Sequence, residues 1–102
     1  MLSVKINEDE LHGSDLTQEW ITNQISKRRK AQQLICVRVR IQSGDADLVL
    51  QTPECAKFGG VARGLTNTES KLVAAWHEFG MQDGAYQIKG LLAFLALAMD
   101  AA

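Results

Sequence analysis

The C-terminal segment IKGLLAFLALAMDAA (88–102) restricts most strongly how this chain can fold. Its residues favour a helix, and apolar side chains occur on nearly every side of that helix. One face is expected to carry Ile88, Leu91, Leu92, Leu95 and Met99. Phe94 and Leu97 are expected on the opposite face. Because a helix that is apolar all round is buried all round, either one chain encloses it or its second face contacts another chain.

The second arrangement predicts a homodimer or a higher oligomer with Phe94 and Leu97 in the interface. A chain of 102 residues has few other elements to cover both faces of the helix, and an exposed apolar surface usually marks an interaction site. The apolar run at 91–99 is too short to cross a membrane, which needs about 20 residues. We therefore expect no membrane partner.

Alternating apolar residues predict a small sheet. Residues 2–6 alternate, and LICVRVRIQ (34–42) alternates over its length. Ser43 and Gly44 favour a turn, so ADLVLQT (46–52) is expected to return as the hairpin partner. The first strand is expected to join by a crossover, parallel to one of the hairpin strands.

Three main helices are predicted. The first is expected to start at Ser14 or Asp15 and to run to about residue 33. Thr66 and Glu69 match a capping box at the start of the second helix, and Gly80 is placed to end it. The last helix is expected to start between residues 84 and 90, and Trp76 of the second helix is expected to face it. Two further features are a helical turn that begins at TPEC (52–55) and a glycine-rich loop, FGGVARG (58–64), whose backbone can surround an anion.

These elements predict one α+β domain over residues 1–102, with the order β-α-β-β-α-α. A mainly antiparallel sheet of three strands would pack with the three main helices. The polar stretch 7–13 is interpreted as a connection.

The basic residues indicate one candidate ligand-binding surface. Eleven basic and twelve acidic residues nearly balance, so no overall charge attracts DNA or an anionic membrane. Six of the cations nevertheless occur within fourteen residues: Lys27, Arg28, Arg29, Lys30, Arg38 and Arg40. If they shared a surface, they would suit a small anionic molecule or nucleic acid, although aromatic readers and a recognition helix are missing. The neighbouring acidic run at 8–10 can equally neutralise them.

The cysteines permit two interpretations. Cys36 and Cys55 lack the pattern of a secreted scaffold, so a buried thiol at Cys36, a semi-buried Cys55 and a cytoplasmic location are expected. Alternatively, Cys55 is a nucleophile activated by the N-terminal end of the TPEC turn, with His77 or His12 as a distant base. The histidines and cysteines show no metal-ligand spacing, so neither a metal nor a cofactor is expected.

The C-terminal residues carry one resemblance. RGLTNTESKLVAAWHEFGM (63–81), followed by GLLAFLALA (90–98), resembles small uncharacterised bacterial proteins carried as gene cassettes in integrons. The resemblance implies a compact, often oligomeric accessory protein of bacterial mobile DNA, and it transfers no functional residue. The leading hypothesis is a non-catalytic interaction protein that self-associates. A small-molecule or nucleic-acid binding module and a small enzyme using Cys55 are the alternatives.

Overall fold

The computed structural model describes residues 1–44, 46–55 and 64–101 of the chain. It confirms the α+β class: three helices pack with an antiparallel sheet, which has four strands where three were expected. The main elements are β1 (Leu2–Ile6), β2 (Asp9–His12), α1 (Gln18–Lys30), β3 (Val37–Ser43), β4 (Ala46–Gln51), α2 (Asn67–Glu78) and α3 (Ile88–Ala101). Residues 52–55, where the helical turn was predicted to begin, form a turn in which the Cys55 N–H donates to the Thr52 carbonyl. The rest of that prediction and all of the glycine-rich loop except Gly64 lie outside the described residues.

The strands lie in the order β2-β1-β3-β4, and every neighbouring pair is antiparallel. The hairpin of β3 and β4 is confirmed, with Ser43 opposite Ala46 and Gly44 in the turn at a φ of +55°. The parallel pairing expected for β1 is wrong. Val4 instead lies opposite Val39 in an antiparallel register.

The strand β2 was interpreted from sequence as a connection. Asn7 has a φ of +54° and turns the chain directly after β1, so that residues 9–12 return as an edge strand. Asparagine tolerates this left-handed conformation better than most residues do. Leu11 supplies the only apolar side chain of β2, which is why the segment lacks the alternation typical of a strand.

One face of the sheet forms the core. The residues that alternate in β1, β3 and β4 are buried there together with apolar residues of all three helices. The helices cover this inner face, and the outer face carries the intervening polar residues. The sheet side of the core consists of Leu2, Val4, Ile6, Val37, Val39, Ile41, Leu48 and Leu50.

Local signals set the helix ends. Helix α1 begins later than expected, because Thr17 is the N-cap and its hydroxyl accepts a hydrogen bond from the Trp20 N–H. The predicted capping box of α2 is confirmed, with Thr66 and Glu69 bonded reciprocally. Gly80 ends α2 with a φ of +76°, and the Met81 N–H reaches the Trp76 carbonyl as in a Schellman motif.

Glu69 also protects the edge of the sheet. Its buried carboxylate accepts a hydrogen bond from the Asp47 N–H of edge strand β4 at 3.3 Å. The Gln82 side chain donates to the Gln51 carbonyl at the other end of β4. Both contacts occupy backbone groups that would otherwise invite pairing with another strand.

Helix α3 buries only part of the predicted face: Leu91 and Leu95 are in the core as expected, but Phe94 and Ala98 are buried beside them. Phe94 is 0 % exposed and meets Trp76 edge-to-face, with the ring centroids 5.0 Å apart. The expectation that Phe94 faces a second chain is therefore wrong. Leu97 and Met99 remain 44 % and 52 % exposed, although Met99 was expected on the covered face. Leu97, with the neighbouring Leu72 and Ala101, forms what we call the terminal apolar patch, and Met99 lies on another side of the helix.

Close contact between the helices depends on Gly90. A Cβ at this position would lie 2.6 Å from the Phe79 carbonyl oxygen, closer than atoms tolerate. Because Gly90 has no side chain, the first turn of α3 can lie directly against the end of α2.

We expect Trp76→Ala to lower the free energy of unfolding by about 3–5 kcal/mol, because it empties a fully buried aromatic site. Urea titration followed by circular dichroism measures the change. Trp20→Ala is the matched control, since Trp20 is only half-buried and its loss should cost less. An equal effect of the two substitutions would contradict the position of Trp76 between α2 and α3.

Candidate functional site

A cavity of about 390 Å³ lies between the end of α1 and the segment that leads into α3. Its size is within the range of small-molecule sites. Three separate parts of the chain supply its polar lining: the end of α1, the turn after β4 and the segment before α3. The lining includes Arg29, Gln33, Ile35, Glu54, Tyr86 and Gln87. We call this site the Tyr86 cavity.

A disulfide and two hydrogen bonds fix one wall of the Tyr86 cavity, the wall that contains Ile35 and Glu54. A disulfide joins Cys36 to Cys55, and the cavity-lining residues Ile35 and Glu54 directly precede the two cysteines. Asn7 secures the same wall: its side-chain amide donates to the Leu34 carbonyl at 3.1 Å and accepts from the Cys36 N–H at 2.8 Å. The positions of Ile35 and Glu54 thus depend on long-range contacts.

Arg29 and Tyr86 form the opposite wall. The Arg29 guanidinium donates to the Tyr86 carbonyl at 2.9 Å, and its Cζ lies 5.7 Å from the centroid of the Tyr86 ring. A guanidinium at this distance from an aromatic ring is attracted to it. The contact connects α1 to the segment before α3.

Two polar atoms at the Tyr86 cavity are buried without a hydrogen bond. Within the described part of the chain, neither the Tyr86 hydroxyl nor Glu54 Oε2 has a partner. Tyr86 as a whole is only 6 % exposed. An unpaired buried polar group costs about 1–3 kcal/mol, so both atoms favour any ligand or water that can pair with them.

The electrostatics of Tyr86 follow from this burial. Burial raises the pKa of Tyr86 to about 12, the positive charge of Arg29 opposes the shift, and the carboxylate of Glu54 adds to it. The hydroxyl therefore stays protonated at neutral pH and can donate a hydrogen bond.

The structure separates the six cations that were candidate ligand-binding residues. Arg28 is 2 % exposed and is held by Asp9 at 2.7 Å and by Glu8 at 3.5 Å. Lys27 lies 4.0 Å from the same Asp9 carboxylate. The acidic run thus neutralises this part of the cluster, and Arg28 is unavailable to a ligand.

Arg38 and Arg40 lie on the outer face of the sheet, opposite the helices. They alternate with Val37, Val39 and Ile41, which point into the core. Arg40 forms two hydrogen bonds with Asp47, each 3.1 Å long, and Arg38 donates to Gln51. The condition for one shared binding surface is therefore not met. Of the six, Arg29 alone lines the Tyr86 cavity, while Lys30 is exposed at the end of α1.

The disulfide changes the interpretation of both cysteines. A bridged sulfur carries no thiolate, so the buried thiol at Cys36 and the nucleophile at Cys55 are both wrong for the oxidised chain. Disulfides persist mainly in oxidising compartments. The cysteines therefore no longer support the predicted cytoplasmic location.

The described residues contain neither a membrane-spanning helix nor a metal-ligating cluster. Among them, no helix is long and apolar enough to cross a membrane. The same part of the chain has no group of three or more histidine, cysteine or acidic residues arranged to hold a metal ion.

Sequence reasoning missed Glu54 and Tyr86. Tyr86 is the only tyrosine of the chain and lies in a short polar connection, which is a weak signal for a binding residue. Glu54 carries no local signal, because its position depends on the pairing of Cys55 with Cys36. Both residues join the site only through tertiary contacts.

We expect Tyr86 to ionise at about pH 12 rather than near its ordinary pKa of about 10. The unfolded chain loses this proton first, so Tyr86 makes the folded state less stable as the pH rises from about 10 to 12. Phenolate absorbance reports the single tyrosine directly, and circular dichroism shows whether the chain is still folded. A midpoint near pH 10 in the folded protein would contradict the burial of Tyr86.

No family model matches this chain, and no similar protein was found among the curated proteins or the solved structures. The resemblance of residues 63–81 and 90–98 to integron cassette proteins therefore stays a prediction.

Proposed function

We propose that this protein is a non-catalytic binding module that holds a small polar ligand in the Tyr86 cavity. The observation that carries the proposal is the buried Tyr86 hydroxyl, which is unpaired within the described residues and belongs to a cavity also lined by Glu54 and Arg29. A ligand that pairs with this hydroxyl would remove an energetic cost that the free protein bears. The integron resemblance adds one further proposal, that the module serves as an accessory protein of bacterial mobile DNA.

The contacts at the cavity favour binding over catalysis. Cys55 is bridged to Cys36, so the chain in this state lacks the thiolate that the enzyme hypothesis requires. His77, one of its two candidate bases, is exposed on α2 and does not line the cavity. The groups that do line it are suited to hydrogen bonds and charge pairing.

We expect Tyr86→Phe to leave the unliganded protein as stable as the wild type or more stable, because it removes an unpaired hydroxyl and keeps the ring beneath Arg29. Thermal unfolding measures this effect. In a nuclear magnetic resonance screen of small polar compounds, wild-type hits should shift the Gly84 and Gln87 amides and bind Tyr86→Phe more weakly. The absence of any hit at these amides would refute the proposal, as would a Tyr86→Phe variant that is clearly less stable.

Self-association through the terminal apolar patch is a second candidate function. Leu97 borders a groove formed with Leu72 and Ala101, and Met99 borders another formed with Leu16 and Leu92. The exposed Leu97 beside its apolar groove favours a second copy of the chain as the partner of the terminal apolar patch. Nucleic acid is not favoured, because the six cations do not share one surface.

We expect the wild type to form a dimer or a larger oligomer at micromolar concentration, and Leu97→Glu to release folded monomers. Light scattering measures the mass. Ala74→Glu is the matched control, because Ala74 is an exposed helix residue that borders neither groove. A wild-type mass near 11.2 kDa would eliminate the interface.

A further inference from the structure

We propose that the ligand of the Tyr86 cavity is a small zwitterion, with its cationic nitrogen at Glu54 and its carboxylate at Arg29. This proposal rests on the proposed function, since it names the chemical class that the same cavity accepts. It commits to a molecule of amino-acid type, with both charges on one small skeleton.

The first support is a pair of opposite charges that line one cavity without pairing. Arg29 and Glu54 are both part of the lining. Within the described residues neither takes part in an ion pair, because Arg29 is directed to the Tyr86 carbonyl and Glu54 Oε2 has no partner at all. A molecule with one charge of each sign can satisfy both residues at once.

The second support comes from the donors and acceptors that remain. Glu54 Oε2 can only accept when ionised, so its partner must be a donor such as an ammonium group. A guanidinium has five N–H donors and no acceptor, and one donor of Arg29 is used at the Tyr86 carbonyl. The others suit a carboxylate. The protonated Tyr86 hydroxyl can donate to the same carboxylate.

Ligands with a single charge fit less well. A simple anion at Arg29 would leave Glu54 Oε2 unpaired and would be repelled by its carboxylate. A simple cation at Glu54 would be repelled by Arg29 in the same way. A neutral ligand would leave the charge of both residues uncompensated. The zwitterion is the class that avoids these costs.

The experiment uses ω-amino acids of increasing methylene length as probes, because the series scans the separation between the two charges. Alkylammonium ions and alkyl carboxylates of the same lengths are the single-charge controls. Binding to the oxidised full-length protein is measured by titration of the Gly84 and Gln87 amide resonances. We expect one zwitterion length to bind at least about tenfold more tightly than either single-charge analogue, as a lost charged hydrogen bond would cause.

Two substitutions should separate the two charges. Glu54→Gln should weaken zwitterion binding by about 10- to 100-fold. It should tighten binding of the alkyl carboxylate, because the repulsion by Glu54 is removed. Arg29→Gln should weaken zwitterion binding to a similar extent and tighten binding of the alkylammonium ion, because the repulsion by Arg29 is removed. Glu78→Gln and Lys30→Gln are matched controls at exposed positions outside the cavity and should bind like the wild type. If the Arg29→Gln variant unfolds, Arg29→Lys is used in its place. Lysine keeps the positive charge but cannot form the two parallel hydrogen bonds by which a guanidinium binds a carboxylate.

The outcomes distinguish this proposal from the proposed function. If neutral or single-charge compounds bind at the Gly84 and Gln87 amides as tightly as every zwitterion, the chemical class is wrong and the cavity still binds ligands. If no compound of any class shifts these amides, both proposals fail and the cavity holds only water. Equal weakening of both single-charge analogues by Glu54→Gln would also overturn the assignment of the two charges.

Discussion

The edge-to-face contact between Trp76 and Phe94 is the interaction on which the rest of the fold depends. It attaches α3 to α2 and directs the face of α3 that contains Leu91 and Leu95 toward the sheet. The missing side chain at Gly90 permits the close approach that this contact requires. Because α3 begins at Ile88, its position also determines where the preceding residue Tyr86 lies. A packing contact in the core therefore sets one wall of the cavity.

The other wall depends on the disulfide. Cys36 precedes β3 and Cys55 follows β4, so the bridge closes the open end of the hairpin and brings Ile35 and Glu54 to the same cavity. The hydrogen bonds from Asn7 add a third attachment from the turn after β1. The Tyr86 cavity can keep the unpaired Tyr86 hydroxyl and Glu54 Oε2 because the disulfide and the Trp76–Phe94 contact fix its walls from outside. Binding sites that are preformed in this way lose less entropy when a ligand binds.

The cavity and the terminal apolar patch can act independently. Gln87 directly precedes α3, and Leu97 lies ten residues further along the chain. At the rise of an α-helix this separation corresponds to about 15 Å. A second copy of the chain on the patch therefore need not cover the cavity. The arrangement is compatible with a module that binds a small molecule near the start of α3 and self-associates near the end of the same helix. The acidic residues Glu8 and Asp9 meanwhile neutralise Arg28 and leave Arg29 to the cavity.

Local patterns in the sequence determined the β3–β4 hairpin, the capping box at Thr66 and the helix end at Gly80, because each depends on residues that are close together along the chain. Only the tertiary structure decided the rest. Helix α3 has no polar side to mark its buried face, so its pattern alone could not place Phe94 inside and Met99 outside. The strand β2 exists through its pairing with β1. The disulfide, and with it the site of Glu54, Arg29 and Tyr86, joins segments distant in sequence, and no spacing along the chain encodes that proximity.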